Sequence, residues 1–286
     1  MANREYLVDV SAYQGTSMAQ YHSRGATGII VKGTEGQWYR NPLAVKQIAS
    51  AHYHHMWVHM YHFANFGHSV HQAKLEARAC LAEAKHLNIN KKRYIFCDWE
   101  ASAQNYIQGS RLANTKAVLA FMKVCHGAGY HVGLYSGASA LRNNVDASTI
   151  VKKYGACLWV ASYATMGRID TPSFAYFPSM NGVAMWQFTD NWHGLNVDGN
   201  ITLIDLHAEN KAKPAKEIPK IVYVPIINNN PNYHVRLLDS KGHYQKYIAT
   251  NTRWKVWSVK IINGMKCYKI GTDTQWVPAK FTKIIK

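Results

Sequence analysis

Seven short runs rich in Val, Ile, Tyr, Phe and Trp recur through the first two thirds of this chain, and segments of helical periodicity lie between most of them. The runs cover residues 6–10, 28–32, 57–63, 94–98, 131–135, 158–161 and 183–188, lengths and compositions that suit strands. The clearest helical patterns are 70–86, where Ala, Leu and Cys recur at helical spacing, and 112–126, closed by Gly127-Ala128-Gly129. Strand followed by helix, repeated, predicts parallel strands with crossover helices, and seven or eight such strands suffice to close a ring. The expected fold class is α/β, an irregular (β/α) barrel of the TIM type.

A different texture begins after residue 207. Residues 211–220, Lys-Ala-Lys-Pro-Ala-Lys-Glu-Ile-Pro-Lys, lack apolar periodicity and read as an extended linker. Strand-like pieces follow at 221–227, 233–238, 244–248, 254–262, 265–270 and 276–278. Asn263-Gly264, between two alternating runs, is the strongest hairpin signal in the chain. The expected organisation is a barrel over 1–207, a linker over 208–220 and a small all-β unit over 221–286.

At 286 residues and 48% apolar content the chain has enough material for two cores. No apolar run approaches membrane-spanning length, and Met1-Ala2-Asn3-Arg4-Glu5 leads into a strand without an apolar signal region. Neither membrane insertion nor ordinary secretion is expected. Cys80, Cys97, Cys125, Cys157 and Cys267 are odd in number, widely spaced and without a Cys-x-x-Cys pair. They predict free, mostly buried thiols made in a reducing compartment, and no structural zinc. The formal charge of +17 is uneven: from His207 onward fifteen Lys or Arg face four acids, leaving about +6 for the longer N-terminal part. Such a field favours a polyanion, whether nucleic acid, anionic lipid or wall polymer.

Active sites of such barrels are built at the C-terminal ends of the strands. The run Arg93-Tyr94-Ile95-Phe96-Cys97-Asp98-Trp99-Glu100 ends there in two acids one residue apart. Alternate residues of a strand face the same way, with Cβ atoms roughly 6–7 Å apart if the strand runs that far. Burial and mutual charge push the pKa values of such a pair apart, as glycosidic cleavage requires. Asp9 ends the first strand, Lys32, Thr34 and Glu35 follow the second, Tyr135-Ser136 ends the fifth and Gln187 the seventh. Several strand ends thus carry chemistry at once.

Asp9-Val10-Ser11-x-Tyr13-Gln14-Gly15, Val31-Lys32-Gly33-Thr34-Glu35-Gly36, Tyr61-His62-Phe63, Asp98-Trp99-Glu100, Gly133-Leu134-Tyr135-Ser136, Leu158-Trp159-Val160-Ala161-x-Tyr163 and Trp186-Gln187-Phe188 with Val197-Asp198-Gly199-Asn200 form an ordered set. The set resembles family 25 glycoside hydrolases, the peptidoglycan muramidases often found as phage endolysins, over about residues 5–206. The resemblance implies an N-acetylmuramidase that cleaves the β-1,4 bond between N-acetylmuramic acid and N-acetylglucosamine, with no cofactor. It implies Glu100 as general acid and later base, and Asp98 stabilising a cyclic cation formed by the substrate's own N-acetyl group. Asp9 and Asp198 complete an acidic floor. Lys32, Glu35, Tyr61, Phe63, Tyr135, Trp159, Tyr163 and Gln187 are the expected sugar-binding residues, where rings stack on pyranoses and amides meet hydroxyls. It also implies an enzyme made in a host cytoplasm that acts on the wall after release.

His52, His54, His55, His59 and His62 crowd into eleven residues, but they straddle a helix end and both faces of a strand without a metal-ligand spacing. Solvated or core-bonded histidines, and no metal, are expected. Trp254-Lys255-Val256-Trp257 and Lys266-Cys267-Tyr268-Lys269 interleave aromatics with lysines, and residues 219–286 are similar to bacterial SH3-type or surface-layer-associated wall-binding repeats. The partners this implies are peptidoglycan and anionic wall polymers rather than nucleic acid. The competing reading is a non-catalytic wall or nucleic-acid binder that keeps the barrel as a scaffold.

Overall fold

Eight strands close into a ring in the N-terminal unit of the computed structural model, which describes residues 4–207 and 221–285. In chain order they are β1 (Tyr6–Val10), β2 (Ala26–Glu35), β3 (Trp57–Phe63), β4 (Tyr94–Asp98), β5 (His131–Gly137), β6 (Leu158–Ala161), β7 (Val183–Thr189) and β8 (Asp198–Thr202). Strands β1 to β7 run in the order that the sequence predicts and near the expected bounds, except that β2 is ten residues long where 28–32 is expected. Strand β8, hidden in the sequence, lies antiparallel to both β7 and β1, so the ring is not all parallel. Its residues Asp-Gly-Asn-Ile-Thr open with three poor strand formers, which is why composition does not reveal it. A short connection from β7 suffices because an antiparallel neighbour needs no crossover helix.

Helices α1 (Ala19–Ser23), α2 (Ala44–Tyr53), α3 (Val70–His86), α4 (Arg111–Gly127), α5 (Ala138–Asn143) and α6 (Ala147–Tyr154) connect the parallel strands, and the only helical element between β6 and β7 is a 3-10 turn, Phe174–Tyr176. Helix α3 is capped by Ser69 Oγ, which accepts from Gln72 N, and α4 by Ser110 Oγ, which accepts from Ala113 N. Loss of either cap costs about 1 kcal/mol. Ala73, Ala77, Cys80 and Ala84 make a buried small-residue stripe on α3. Pleating sends Val8, Ile29, Val31, Ile95, Cys97, Leu134 and Val160 outward against the helices. It sends Leu7, Ile30, Tyr61, Tyr94, Phe96, Tyr135, Trp159 and Met185 into the ring. Gly133 makes room for Phe96: a Cβ there would sit 2.4 Å from the ring.

The chain divides into two compact units, Met1–Glu209 and Asn210–Lys286. The expected linker over 208–220 lies outside the described residues. The second unit is all-β: β9 (Ile221–Val224), β10 (His234–Leu238), β11 (Tyr244–Ala249), β12 (Thr252–Lys255), β13 (Ser258–Ile262), β14 (Met265–Lys269), β15 (Trp276–Pro278) and β16 (Lys283–Ile285). They form sheets ordered β12-β9-β16 and β11-β10-β15-β14-β13 around Val222, Val224, Val235, Leu237, Tyr268 and Val277. The run expected at 254–262 splits into β12 and β13. Asn263 (φ 49°) and Gly264 (φ 76°) form the two-residue turn of the β13–β14 hairpin, as the Asn-Gly signal predicts. All five cysteines are free and buried.

Candidate active site

The inward rows of the barrel change character at its C-terminal end. Asp9 stands two residues beyond Leu7, Lys32 beyond Ile30, Asp98 beyond Phe96 and Gln187 beyond Met185, so each of these continues an apolar row into a polar rim, while Phe63, two beyond Tyr61, keeps its row apolar. Asp9 faces Asp198 across the β1–β8 register, and Phe63, Asp98 and Tyr135 are lateral neighbours on β3, β4 and β5. A cavity of about 200 Å³ opens here, lined by all four acids Asp9, Asp98, Glu100 and Asp198, together with Lys32, Tyr61, Phe63, Tyr135 and Trp159. A larger hollow of about 410 Å³, lined by His52, His55, Trp57 and Arg93, lies at the opposite, N-terminal strand ends and has no carboxylate.

Glu100 reaches this cavity by a route that alternation alone does not supply. Strand β4 stops at Asp98, although Trp99 N still donates to Tyr135 O at 3.0 Å. The Trp99 ring is buried among the outer core residues, and its Nε1 donates to Gly67 O at 2.9 Å. Asn105, itself buried, donates from Nδ2 to Glu100 O at 2.7 Å and accepts from Gly67 N at 2.7 Å. One buried amide therefore ties the loop that bears Glu100 to the loop after β3.

Asp9 is held from below. Its Oδ2 accepts from Asn200 Nδ2 at 2.8 Å and from Gln187 Nε2 at 3.0 Å. Asn200 Oδ1 accepts from Trp159 Nε1 at 2.7 Å. Gln187 Oε1 accepts from the hydroxyls of Tyr135 at 2.8 Å and Tyr163 at 2.6 Å. Asp98 differs: its Oδ1 is buried with no hydrogen-bond partner, an arrangement that costs stability unless a ligand supplies the donor.

Burial raises every one of these carboxyls. Burial, Glu100 and Asp9 push Asp98 well above the usual carboxylate range, with Lys32 pulling it back. Burial and then Asp9 raise Glu100, again opposed by Lys32. Burial and Asp9 push Asp198 to about 9, and burial raises Asp9 against the pull of its amide donors. Desolvation and like charge act together, the arrangement that keeps one acid protonated while a neighbour ionises.

Residues 8–196 match the family described as Glycosyl hydrolases family 25. Over 179 residues the chain is 44% identical to the lysozyme of Lactococcus phage mv1, an alignment that takes in 63% of this chain and 89% of that protein. This chain belongs to glycosyl hydrolase family 25. A second relative of the family 25 chain, named a D-alanyl-L-alanine endopeptidase of Streptococcus phage B30, is 33% identical over 96% of this chain; the chain spans only 63% of that protein's length. The Cpl-1 endolysin, solved with a peptidoglycan analogue, has the same fold at a TM-score of 0.61 and 23% identity, covering 97% of this chain and 77% of that one.

Among the sugar-binding residues expected in this family 25 chain, Lys32, Tyr61, Phe63, Tyr135 and Trp159 line the cavity, whereas Glu35, Tyr163 and Gln187 do not. Glu35 pairs with Lys32 at 2.6 Å, and Gln187 stands buried behind Asp9. Ser11, Tyr13 and Gln14 also line the cavity, and Asn200 supports its floor. All four lie in motifs that carry the resemblance, but nothing in their spacing marks them as site residues. Of the clustered histidines, His62 bonds Thr34 Oγ1 at 2.7 Å and Glu76 at 3.0 Å, and His59 Nδ1 accepts from Tyr94 N at 3.0 Å.

Proposed function

We propose that the chain is a peptidoglycan hydrolase, a phage-type lysozyme that cleaves the β-1,4 bond between N-acetylmuramic acid and N-acetylglucosamine. The observation that carries the reading is the convergence of Asp9, Asp98, Glu100 and Asp198 on one aromatic-walled cavity. The name of the mv1 relative and the peptidoglycan analogue bound to the Cpl-1 endolysin agree with it.

Glu100 acts as the general acid, since burial and Asp9 favour its protonated form. Its proton passes to the glycosidic oxygen as that bond breaks. The carbonyl oxygen of the substrate's own N-acetyl group closes on the anomeric carbon, and Asp98 stabilises the resulting cyclic cation. Its buried, unpartnered Oδ1 suits an acetamide N–H, which supplies the donor the protein does not. Glu100, now ionised, takes a proton from water as that water opens the ring, so configuration is retained. Asp9, whose Oδ2 accepts from Asn200 and Gln187, holds negative potential beneath the cation, and the faces of Tyr61, Phe63 and Tyr135 pack against sugar rings.

The basic all-β unit holds the enzyme on its insoluble substrate, an SH3-like wall-binding role that raises local concentration without entering the chemistry. The experiment is substitution of Glu100 by Gln followed by turbidity clearing of purified walls. Activity is expected to fall by about 10²–10⁴-fold, with the amount of protein sedimenting with walls unchanged. Clearing at the wild-type rate overturns the assignment.

A further inference from the structure

Both acids of residues 221–286, Asp239 and Asp273, are already committed within that stretch. Asp239 Oδ1 accepts from Lys241 N at 2.8 Å and His243 N at 2.9 Å, and Asp273 pairs with Lys269 at 2.6 Å. Residues 221–286 carry eleven Lys or Arg against these two acids, so the uncompensated charge is strongly positive. On β10 the pleat turns Val235 and Leu237 into the core and His234 and Arg236 outward. The Arg236 guanidinium lies over two tyrosine rings at once, 4.6 Å from the centroid of Tyr244 and 5.4 Å from that of Tyr247, its cross-strand partner. Both rings are largely exposed, 66% and 57%. Among the described residues no carboxylate pairs with Arg236.

We propose that Arg236, framed by Tyr244 and Tyr247, is a binding site for the phosphodiester groups of an anionic bacterial wall polymer. A guanidinium offers a planar fork that matches phosphate oxygens two at a time, and the rings limit the freedom it loses on binding. The exposed parts of the rings meet the carbons of polyol or sugar between successive phosphates. Single-stranded nucleic acid fits less well, because base stacking needs open aromatic faces and Arg236 occupies one face of each ring. The inference rests on the wall-anchoring role given to this unit above and names its ligand.

The full-length wild type, Arg236→Gln, Arg236→Lys and a surface control, Lys283→Gln, are sedimented with native walls and with walls stripped of phosphodiester polymer by hydrofluoric acid. Soluble poly(glycerol phosphate) and single-stranded DNA serve as competitors. Arg236→Gln is expected to weaken binding to native walls about tenfold, Arg236→Lys by less, and Lys283→Gln hardly at all. Wild-type binding should drop on stripped walls and yield to poly(glycerol phosphate), while hydrolysis of short soluble glycans stays the same in all four proteins. Equal binding by wild type and Arg236→Gln, undiminished binding to stripped walls, an equal loss in Lys283→Gln, or stronger competition by DNA than by the polymer overturns the site. A wild type that does not sediment with native walls overturns the anchoring role as well.

Discussion

Carboxylates at the barrel mouth and carboxylates in the C-terminal unit titrate in opposite directions, and the contrast separates chemistry from architecture. Asp9, Asp98, Glu100 and Asp198 are all raised, first by burial and, for all but Asp9, by one another's charge as well. Asp239, held by the backbone N–H groups of His243 and Lys241, is lowered to about 2, and Asp273 is lowered by Lys269. A structural acid is placed where donors favour its charge. The mouth places four where only Lys32 and a few amides do so, and a fold gains nothing from that crowding unless a substrate answers it.

The largest test of the contrast is Asp98→Asn. If Asp98 serves a developing cation, kcat on walls falls by about 10²–10³-fold, while thermal stability at pH 7 is kept or improved. A loss of stability with activity retained would class Asp98 with Asp239. Asp198→Asn probes the same strain through pH. The native state keeps a proton on Asp198 up to about pH 9, whereas the unfolded chain releases it near pH 4. Stability therefore declines as pH rises through that window, and the uncharged amide removes the decline. Calorimetry should show no gain in Tm at pH 4 and a gain that grows steadily as pH rises toward 9. A gain that is independent of pH would count against the strain.

Lys32→Met sharpens the comparison on the chemical side. Lys32 lowers both Asp98 and Glu100, so its removal raises both. Both limbs of the rate profile should therefore move to higher pH. The smallest effect belongs to Asp239→Asn. A lowered carboxyl supports the fold above its unfolded pKa and loses that support as pH falls toward 2. Hydrogen exchange over residues 234–249 should therefore quicken at pH 7 and match the wild type near pH 2.

How far the sequence discloses this molecule follows from periodicity. Strands β1, β3, β4 and β6 are legible to the residue because each is a dense apolar run, and Asp9 and Asp98 are legible as acids that interrupt such runs at their ends. Strand β8 is not, since Asp198, Gly199 and Asn200 are chosen for what they hold rather than for strand propensity. The same cause hides Asn105, whose contact with Glu100 O joins loops that no spacing rule connects. Gln187 reads in sequence as a sugar ligand, yet in the fold it carries two tyrosine hydroxyls and Asp9, partners 24, 52 and 178 residues away in the chain.

The chemistry of the new chain ends bears most directly on the central claim that this acidic mouth cuts a glycan. Purified walls are digested to completion, and the products are reduced with borohydride and hydrolysed to their sugars. The reading predicts muramicitol as the reduced sugar, with no rise in free amino groups. Glucosaminitol in its place, or new amino termini without new reducing ends, would contradict it.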